Sequence, residues 1–246
     1  MTDQEIRSRL ADRLAAVEGR IRAACARVDR LRAEVTLIAV TKTVSIRVAR
    51  LLPELGILDL GESRPQELWR KAAALEDVPI RWHQVGHLQR NKIERTLPLV
   101  DLIHSVDSLR LLEAINKEAE KKQQPASVLL EINVSGEESK HGFSPDALGQ
   151  LDAGTIEQFT SVEVVGLMTM APYTSSPEEC RPIFRQLRQL RDEMQVRARW
   201  NFLGEELPLL SMGMTNDFEV AIEEGATHIR LGTVLFEGLP ADGEAE

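Results

Sequence analysis

The chain has 246 residues, with 30 basic and 39 acidic side chains and a net charge of −9. A hydrophobic fraction of 43% beside 28% charged residues is typical of a folded globular protein and excludes a disordered or collagen-like polymer. The negative charge argues against nucleic acid as a partner, and the sequence has neither a membrane-spanning apolar run nor a signal peptide, so we expect a cytoplasmic protein.

The N-terminus predicts one long amphipathic helix within residues 1–32. Thr2 followed by Glu5 fits a capping box, and apolar residues then recur every three or four positions. We expect this helix to lie across the outside of the main domain, and a coiled-coil seam to a second copy is the alternative. The recurring residues are Ile6, Leu10, Leu14, Val17, Ile21, Ala24, Val28 and Leu31.

From residue 35 onward, short apolar runs alternate with segments of helical spacing. A parallel sheet whose outer face is covered by helices requires this pattern, and eight such units close a (β/α)8 TIM barrel. A doubly wound open sheet is the structural alternative, but the chain lacks the spaced glycines of its dinucleotide fingerprint. The eight predicted strands are 35–42, 57–61, 80–86, 100–106, 127–134, 162–169, 208–213 and 228–235.

The same pattern predicts the domain organisation. The barrel is expected to occupy residues 35–238, and a short acidic tail follows at 239–246. No linker, repeat or low-complexity tract interrupts this arrangement. The whole chain, 1–246, is therefore predicted to be a single barrel domain with an added N-terminal helix.

A lysine ends the first predicted strand, where such barrels carry their functional residues. Because side chains alternate along a strand, Lys42 shares a face with Val40 and Ile38. A partly desolvated amine at the mouth of a barrel can lose its proton near neutral pH and form a Schiff base with a carbonyl. For Lys42 alone, a solvated lysine at the end of a strand is the alternative.

The last two strands supply an arginine and a group of small polar residues. Arg230 and Gly232 share one face while their apolar neighbours suit the helix layer, so Arg230 is predicted to project into the barrel. Gly232 and Thr233 allow close backbone approach, and Ser211 belongs to the strand before, in the region where these barrels bind phosphate. A turn and an ordinary salt bridge are the alternatives. Together with the amine, these residues predict a site for a phosphorylated aromatic aldehyde, pyridoxal 5′-phosphate (PLP).

Six motifs along the chain carry a family resemblance. They are Thr41-Lys42-Thr43, Gly61-Glu62-Ser63, the segment from His83 to Lys92, His104-Ser105-Val106-Asp107, Gly166-Leu167-Met168 and Ser211-Met212-Gly213-Met214. In this order they resemble the YggS/PROSC family of pyridoxal phosphate homeostasis proteins, over residues 5–238. The resemblance implies the barrel of the fold-type III PLP proteins, similar to the N-terminal domain of alanine racemase.

The resemblance also implies a role for each residue of the predicted cofactor site. Lys42 corresponds to the lysine that forms the Schiff base, and Arg230 to the partner of the pyridine nitrogen. Ser63 and Met168 correspond to residues beside the cofactor ring, although Ser63 stands where an asparagine is common. The residues that correspond to phosphate ligands are Ser211, Gly232 and Thr233.

The predicted function is PLP binding in vitamin B6 homeostasis, with PLP held on Lys42 and without robust catalytic turnover. An arginine facing the pyridine nitrogen keeps that nitrogen unprotonated, which makes the ring a weak electron sink. Racemisation also needs the tyrosine that alanine racemases take from a second domain, and the resemblance covers no such domain. The alternatives are a PLP-dependent amino-acid racemase and a cofactor-free Schiff-base aldolase.

The predicted partners are the small-molecule cofactor and, as recipients, apo forms of PLP enzymes. A monomer is favoured because the second domain that makes the racemase dimer is missing. No metal is predicted, because Gly86 separates His83 from His87 at a strand end although the two have the spacing of metal ligands on a helix. Lys140 is interpreted as a solvated loop lysine and is left out of the site.

Overall fold

Eight parallel strands form a closed barrel in chain order, with the last strand paired to the first. The computed structural model describes residues 1–137, 140–150, 158–174, 176–196 and 208–241. The predicted (β/α)8 barrel is confirmed. The strands are β1 (Thr36–Val40), β2 (Asp59–Glu62), β3 (Arg81–Gln84), β4 (Leu102–Val106), β5 (Ala126–Glu131), β6 (Val162–Met168), β7 (Leu209–Ser211) and β8 (His228–Leu231).

Helices surround the barrel and connect its strands. Within the described residues, no helix is long and apolar enough to cross a membrane. The α-helices are α1 (Asp3–Ala26), α2 (Ile46–Leu51), α3 (Pro65–Ala74), α4 (Ile93–Thr96), α5 (Leu109–Lys122), α6 (Pro145–Gln150), α7 (Arg181–Val196), α8 (Phe218–Glu223) and α9 (Thr233–Phe236). Short 3-10 turns lie at Arg32–Glu34, Pro53–Leu55, Arg90–Lys92, Leu97–Leu99 and Pro177–Cys180.

The N-terminal helix α1 lies across the outer layer of the barrel, against α8 and α9. Its predicted capping box is present, and a salt bridge of 3.1 Å joins Arg20 to Glu219. The helix ends at Ala26, so the predicted end near residue 32 was wrong. Val28 and Leu31 are 37% and 72% exposed, and without burial their apolar spacing does not extend the helix.

The eighth strand is shorter than predicted. It ends at Leu231, and the segment from Thr233 turns into helix α9, which buries Leu235 and Phe236 in the core. The apolar run continues across both elements, so composition alone does not separate strand from helix there. Residues 242–246 of the predicted tail lie outside the described residues.

The side chains of β8 alternate between the helix layer and the barrel interior. Ile229 and Leu231 are fully buried in the apolar core between strands and helices. Arg230 points the other way and bonds to groups on β7 and after β6, which confirms its predicted inward direction. Because of this alternation, inward-facing side chains near the ends of the strands face the same interior.

Candidate functional site

A cavity of about 570 Å³ lies at the C-terminal ends of the strands. Its walls come from the segments that follow β1, β2, β3, β5, β6, β7 and β8. The structure brings five of the seven predicted site residues to these walls. They are Lys42, Ser63, Arg230, Gly232 and Thr233.

Lys42 is exposed in this cavity, directly after a residue whose backbone is held on both sides. The Thr41 N–H donates to the Gly61 carbonyl at 2.9 Å, and the Thr41 carbonyl accepts from Lys71 Nζ at 2.6 Å. Lys71 also pairs with Glu62 at 2.7 Å, and the two side chains are 1% and 0% exposed. A fully buried ion pair therefore fixes the backbone from which Lys42 extends.

Sequence reasoning missed this ion pair. Lys71 lies in α3 between Leu68 and Ala72, which are both buried. A lysine among apolar positions of one helix face was the available signal, but nothing in the local sequence identifies its partner nine residues earlier.

Arg230 lies at the floor of the cavity with its guanidinium fixed by two acceptors. Nη1 donates to Ser211 Oγ at 2.6 Å, and Nη2 donates to the Thr169 carbonyl at 3.0 Å. Burial lowers the pKa of Arg230 to about 10, which leaves the group cationic at neutral pH. The cavity therefore contains a permanent donor that cannot accept a proton.

A chain of hydrogen bonds continues from Arg230 through the interior of the barrel. Ser211 Oγ lies 2.8 Å from His104 Nδ1, and His104 Nε2 lies 3.0 Å from His83 Nδ1. His83 Nε2 in turn lies 3.1 Å from Asp59 Oδ1. These five side chains join the cavity floor to the N-terminal end of β2.

The two ends of this chain set the direction of its hydrogen bonds. A guanidinium only donates and a carboxylate only accepts, so every link is satisfied when both histidines are neutral and protonated at Nε2. Ser211 then accepts from Arg230 and donates to His104. Burial lowers the pKa of His104 well below its usual value, in agreement with a neutral ring.

The charge of Asp59 fits the same arrangement. Burial acts to raise the pKa of Asp59, but hydrogen bonds from Arg81 and His83 outweigh it and hold the pKa well below its usual range. The neighbouring ring of His228 is also neutral at pH 7, because burial lowers its pKa to about 4. The barrel interior thus has a cation at one end, an anion at the other and neutral groups between.

Ser211 and Met168 do not line the cavity, although both were predicted as cofactor contacts. Ser211 is fully buried, with its hydroxyl between Arg230 and His104. Met168 is also fully buried, in an apolar cluster inside the barrel. Met170, two residues further along the same face, lines the cavity instead. Sequence alternation correctly predicts the face of such residues, but it does not predict their depth.

Lys140, which the sequence interpretation left out, also lines the cavity. Its Nζ pairs with Glu137 at 2.7 Å and donates to the Met170 carbonyl at 3.4 Å. Tyr173 lines the mouth and is 89% exposed. The available signal for Lys140 was its position after β5, at the end of the barrel where functional residues gather.

His83 and His87, which have the spacing of metal ligands on a helix, differ strongly in burial. His83 is 4% exposed inside the barrel, whereas the side chain of His87 is 44% exposed at the rim. They do not share a site, because the chain changes direction at Gly86 after leaving β3.

Comparison with known proteins adds three findings. Residues 13–240 match the family model described as "Alanine racemase, N-terminal domain". The chain is 46% identical to the pyridoxal phosphate homeostasis protein of Aquifex aeolicus over 225 residues, which covers 92% of this chain and 96% of that protein. PipY of Synechococcus elongatus PCC7942, solved with PLP bound, superposes with a TM-score of 0.77 at 33% identity, over 92% of this chain and 99% of PipY.

A more distant likeness concerns the fold alone. Alanine racemase of Clostridium difficile 630 is 16% identical with a TM-score of 0.67, and the match covers 94% of this chain but 58% of the racemase.

Proposed function

The chain belongs to the pyridoxal phosphate homeostasis protein family, and on this premise we propose that it binds PLP through Lys42 and serves vitamin B6 homeostasis. The observation that carries the proposal is the convergence of the Lys42 amine, the Arg230 guanidinium and the Gly232–Thr233 start of α9 on one cavity. In this proposal the barrel and helix α1 work as one domain.

The residues present fit the cofactor. The cavity volume of about 570 Å³ falls within the range of roughly 300–1,000 Å³ for pockets that enclose small cofactors. Gly232 leaves room beside β1, since a Cβ there would lie 3.3 Å from the Val40 carbonyl oxygen. Thr233 adds an exposed hydroxyl next to it. An amine for the aldehyde, a donor for the pyridine nitrogen and two small residues at the start of α9 for the phosphate are therefore all available.

PLP supplies an aldehyde that condenses with amines and an aromatic ring that can accept electrons. Arg230 restrains the second property. Its guanidinium remains protonated and is fixed by Ser211 and Thr169, so it would donate to the ring nitrogen of a bound cofactor and leave that nitrogen without a proton. Lys42 would attach the cofactor, and Ser63, directly after β2, would lie beside its ring.

Ser211 and Met168 act from below the cavity in this proposal. Ser211 holds Arg230 in place through the chain that continues to His104. Met168 packs against Leu102 and Leu129 and supports the floor. The direct contacts of Ser211 and Met168 with the cofactor, which the sequence predicts, stay predictions.

We propose that the protein stores or exchanges PLP without robust turnover. A racemase needs a second base opposite the lysine, and the Lys140 amine is occupied by Glu137 while Tyr173 extends into solvent. The racemase alternative is favoured only by the shared fold. Proton exchange at Cα of amino acids in deuterated water separates the two, because a racemase exchanges this proton and a storage protein leaves it in place.

Spectroscopic titration tests the attachment. Wild-type protein should develop a visible absorbance when PLP is added, and Lys42→Ala should lose it. Lys117→Ala, at an exposed lysine on α5, is the matched control and should behave as wild type. Unchanged absorbance in Lys42→Ala would contradict the proposal.

The proposed partners are apo forms of PLP enzymes, the proposed working form is a monomer, and the proposed compartment is the cytoplasm. Cys25 and Cys180 are both free and buried, which suits a reducing compartment. Mixing the loaded protein with an apo-enzyme should reactivate it faster than the same concentration of free PLP does. Slower reactivation would instead indicate a sink, and analytical ultracentrifugation would detect a dimer.

A further inference from the structure

A second cluster of chemically active side chains lies at the rim of the barrel, outside the cavity described above. His87 follows β3, Asp107 follows β4 and His141 follows β5. Asp107 Oδ2 lies 3.0 Å from His87 Nδ1 and 3.8 Å from His141 Nδ1. The three potential ligand atoms all lie within 4.8 Å of one another.

Of the two contacts to Asp107, the one from His87 is a hydrogen bond. The 3.8 Å separation of His141 from Asp107 is too long for a hydrogen bond. Ligand atoms around a tetrahedral zinc ion, at bond lengths of roughly 2.0–2.1 Å, lie about 3.3 Å apart. The two observed separations, 3.0 and 3.8 Å, bracket this value. The His87–Asp107 and Asp107–His141 separations are therefore close to those of two ligands that share one ion.

The two imidazole rings are stacked, with centroids 4.5 Å apart and planes inclined by 20°. Because a metal ion lies in the plane of each ring that binds it, one ring must rotate about its side-chain bonds before both bind the same ion. The exposure of both side chains at the rim, 44% and 64%, allows this rotation. Asp107 Oδ1 accepts from Ser108 Oγ at 3.0 Å, which turns Oδ2 toward the histidines. A carboxylate fixed by a neighbouring hydroxyl is the kind of outer contact that orients metal ligands.

Two arginines lie beside the cluster. Arg90 and Arg110 line the adjoining groove together with His87. Their positive charge favours an anion or water at the remaining coordination position of a bound ion.

We propose that His87, Asp107 and His141 bind a divalent transition-metal ion of the zinc class. Two imidazole nitrogens and one carboxylate oxygen form a donor set that such ions prefer, and Mg²⁺ or Ca²⁺ prefer oxygen ligands alone. With three protein ligands, one position stays open toward solvent, since the side chains of His87 and His141 are 44% and 64% exposed.

Metal binding has a structural consequence for the neighbouring cavity. His141 directly follows Lys140, which lines that cavity. An ion that ties His141 to the segments after β3 and β4 therefore fixes the backbone of Lys140 at the cavity wall. This consequence does not depend on which ligand the cavity holds.

Metal titration of the tag-free, chelator-treated protein tests the proposal. We expect one equivalent of Zn²⁺ to bind in competition with a chromophoric chelator, and Co²⁺ to give the visible absorption of a low-coordinate site. His87→Ala, His141→Ala and Asp107→Asn should each weaken binding by at least about tenfold. Asp77→Asn, at an exposed carboxylate paired with Arg50 before β3, is the control and should bind as wild type.

Hydrogen exchange provides an independent readout. Zn²⁺ should slow amide exchange in peptides covering residues 140–148 in the wild type and leave it unchanged in His141→Ala. Absence of stoichiometric binding to the wild type, or binding that survives in the His87→Ala/His141→Ala double variant, would overturn the proposal.

Discussion

Replacing Lys71 by methionine removes the cation from the buried ion pair beneath Lys42. In the native protein Lys71 Nζ contacts Glu62 Oε1 at 2.7 Å and the Thr41 carbonyl at 2.6 Å. Glu62 is fully buried, and its second oxygen, Oε2, already has no hydrogen-bond partner. Lys71→Met therefore leaves a carboxylate inside the protein with only the Thr41 hydroxyl as donor.

The expected loss follows from the energetics of buried charge. Breaking a buried pair by removing one partner costs about 3–5 kcal/mol, because the remaining charge is not compensated. For a chain of this size each kcal/mol corresponds to roughly 2–4 °C in Tm, so Lys71→Met should lower Tm by roughly 6–20 °C. Urea unfolding followed by circular dichroism measures the free energy directly.

Two further variants separate lost charge compensation from lost packing. The double variant Lys71→Met/Glu62→Gln should recover most of the free energy, because no buried charge remains. Lys121→Met removes an exposed pair whose side chains are 61% and 71% exposed, and should change stability by less than about 1 kcal/mol. If Lys71→Met were no less stable than Lys121→Met, the account of the ion pair would be refuted.

Three other predictions concern the barrel interior and the loop packing. The pKa of His228 is about 4 in the folded protein and about 6.5 in the unfolded protein, so the unfolded state binds more protons below pH 6.5. The free energy of unfolding should therefore fall by about 2 kcal/mol by pH 5. Urea unfolding at several pH values measures this fall, which should be absent in His228→Asn. Ser211→Ala leaves an N–H of Arg230 without its acceptor and should lower the free energy of unfolding by about 1–3 kcal/mol. In the wild type, ¹⁵N-edited NMR should show His104 as a neutral ring protonated at Nε2. A ring protonated at Nδ1 or at both nitrogens would contradict the hydrogen-bond chain. Gly86→Ala places a Cβ 2.3 Å from a backbone carbonyl oxygen and should lower the unfolding free energy by about 1–3 kcal/mol, whereas Gly19→Ala in α1, with open space around it, should not.

The barrel is predictable from the sequence because each strand is an apolar run that can be identified without knowledge of its neighbours. The inward direction of Arg230 is also predictable, because side chains alternate along a strand and the apolar Ile229 and Leu231 pack against the helices. The end of α1 is not predictable in this way, because the apolar spacing continues to Leu31 while the buried positions end at Cys25. Tertiary packing determines where the helix ends, and the spacing of apolar residues does not reveal that packing.

The depth of a side chain within the barrel is the main feature that sequence analysis could not predict. Ser211 and Arg230 both face inward, but one is sealed below the cavity and the other lines it. The hydrogen-bond chain joins residues that are far apart in sequence, such as His104 and Ser211, 107 positions apart. Polar residues at inward positions of several strands were the available signal, and only the closed barrel brings them into contact.

Borohydride reduction of the PLP-loaded protein, followed by mass-spectrometric peptide mapping, identifies the residue that holds the cofactor. The reduction makes the bond between cofactor and amine permanent, so the modified lysine can be identified. We expect one pyridoxyl group, on Lys42. Modification of Lys140 or of any other lysine in its place, or an unmodified wild-type protein, would contradict this expectation.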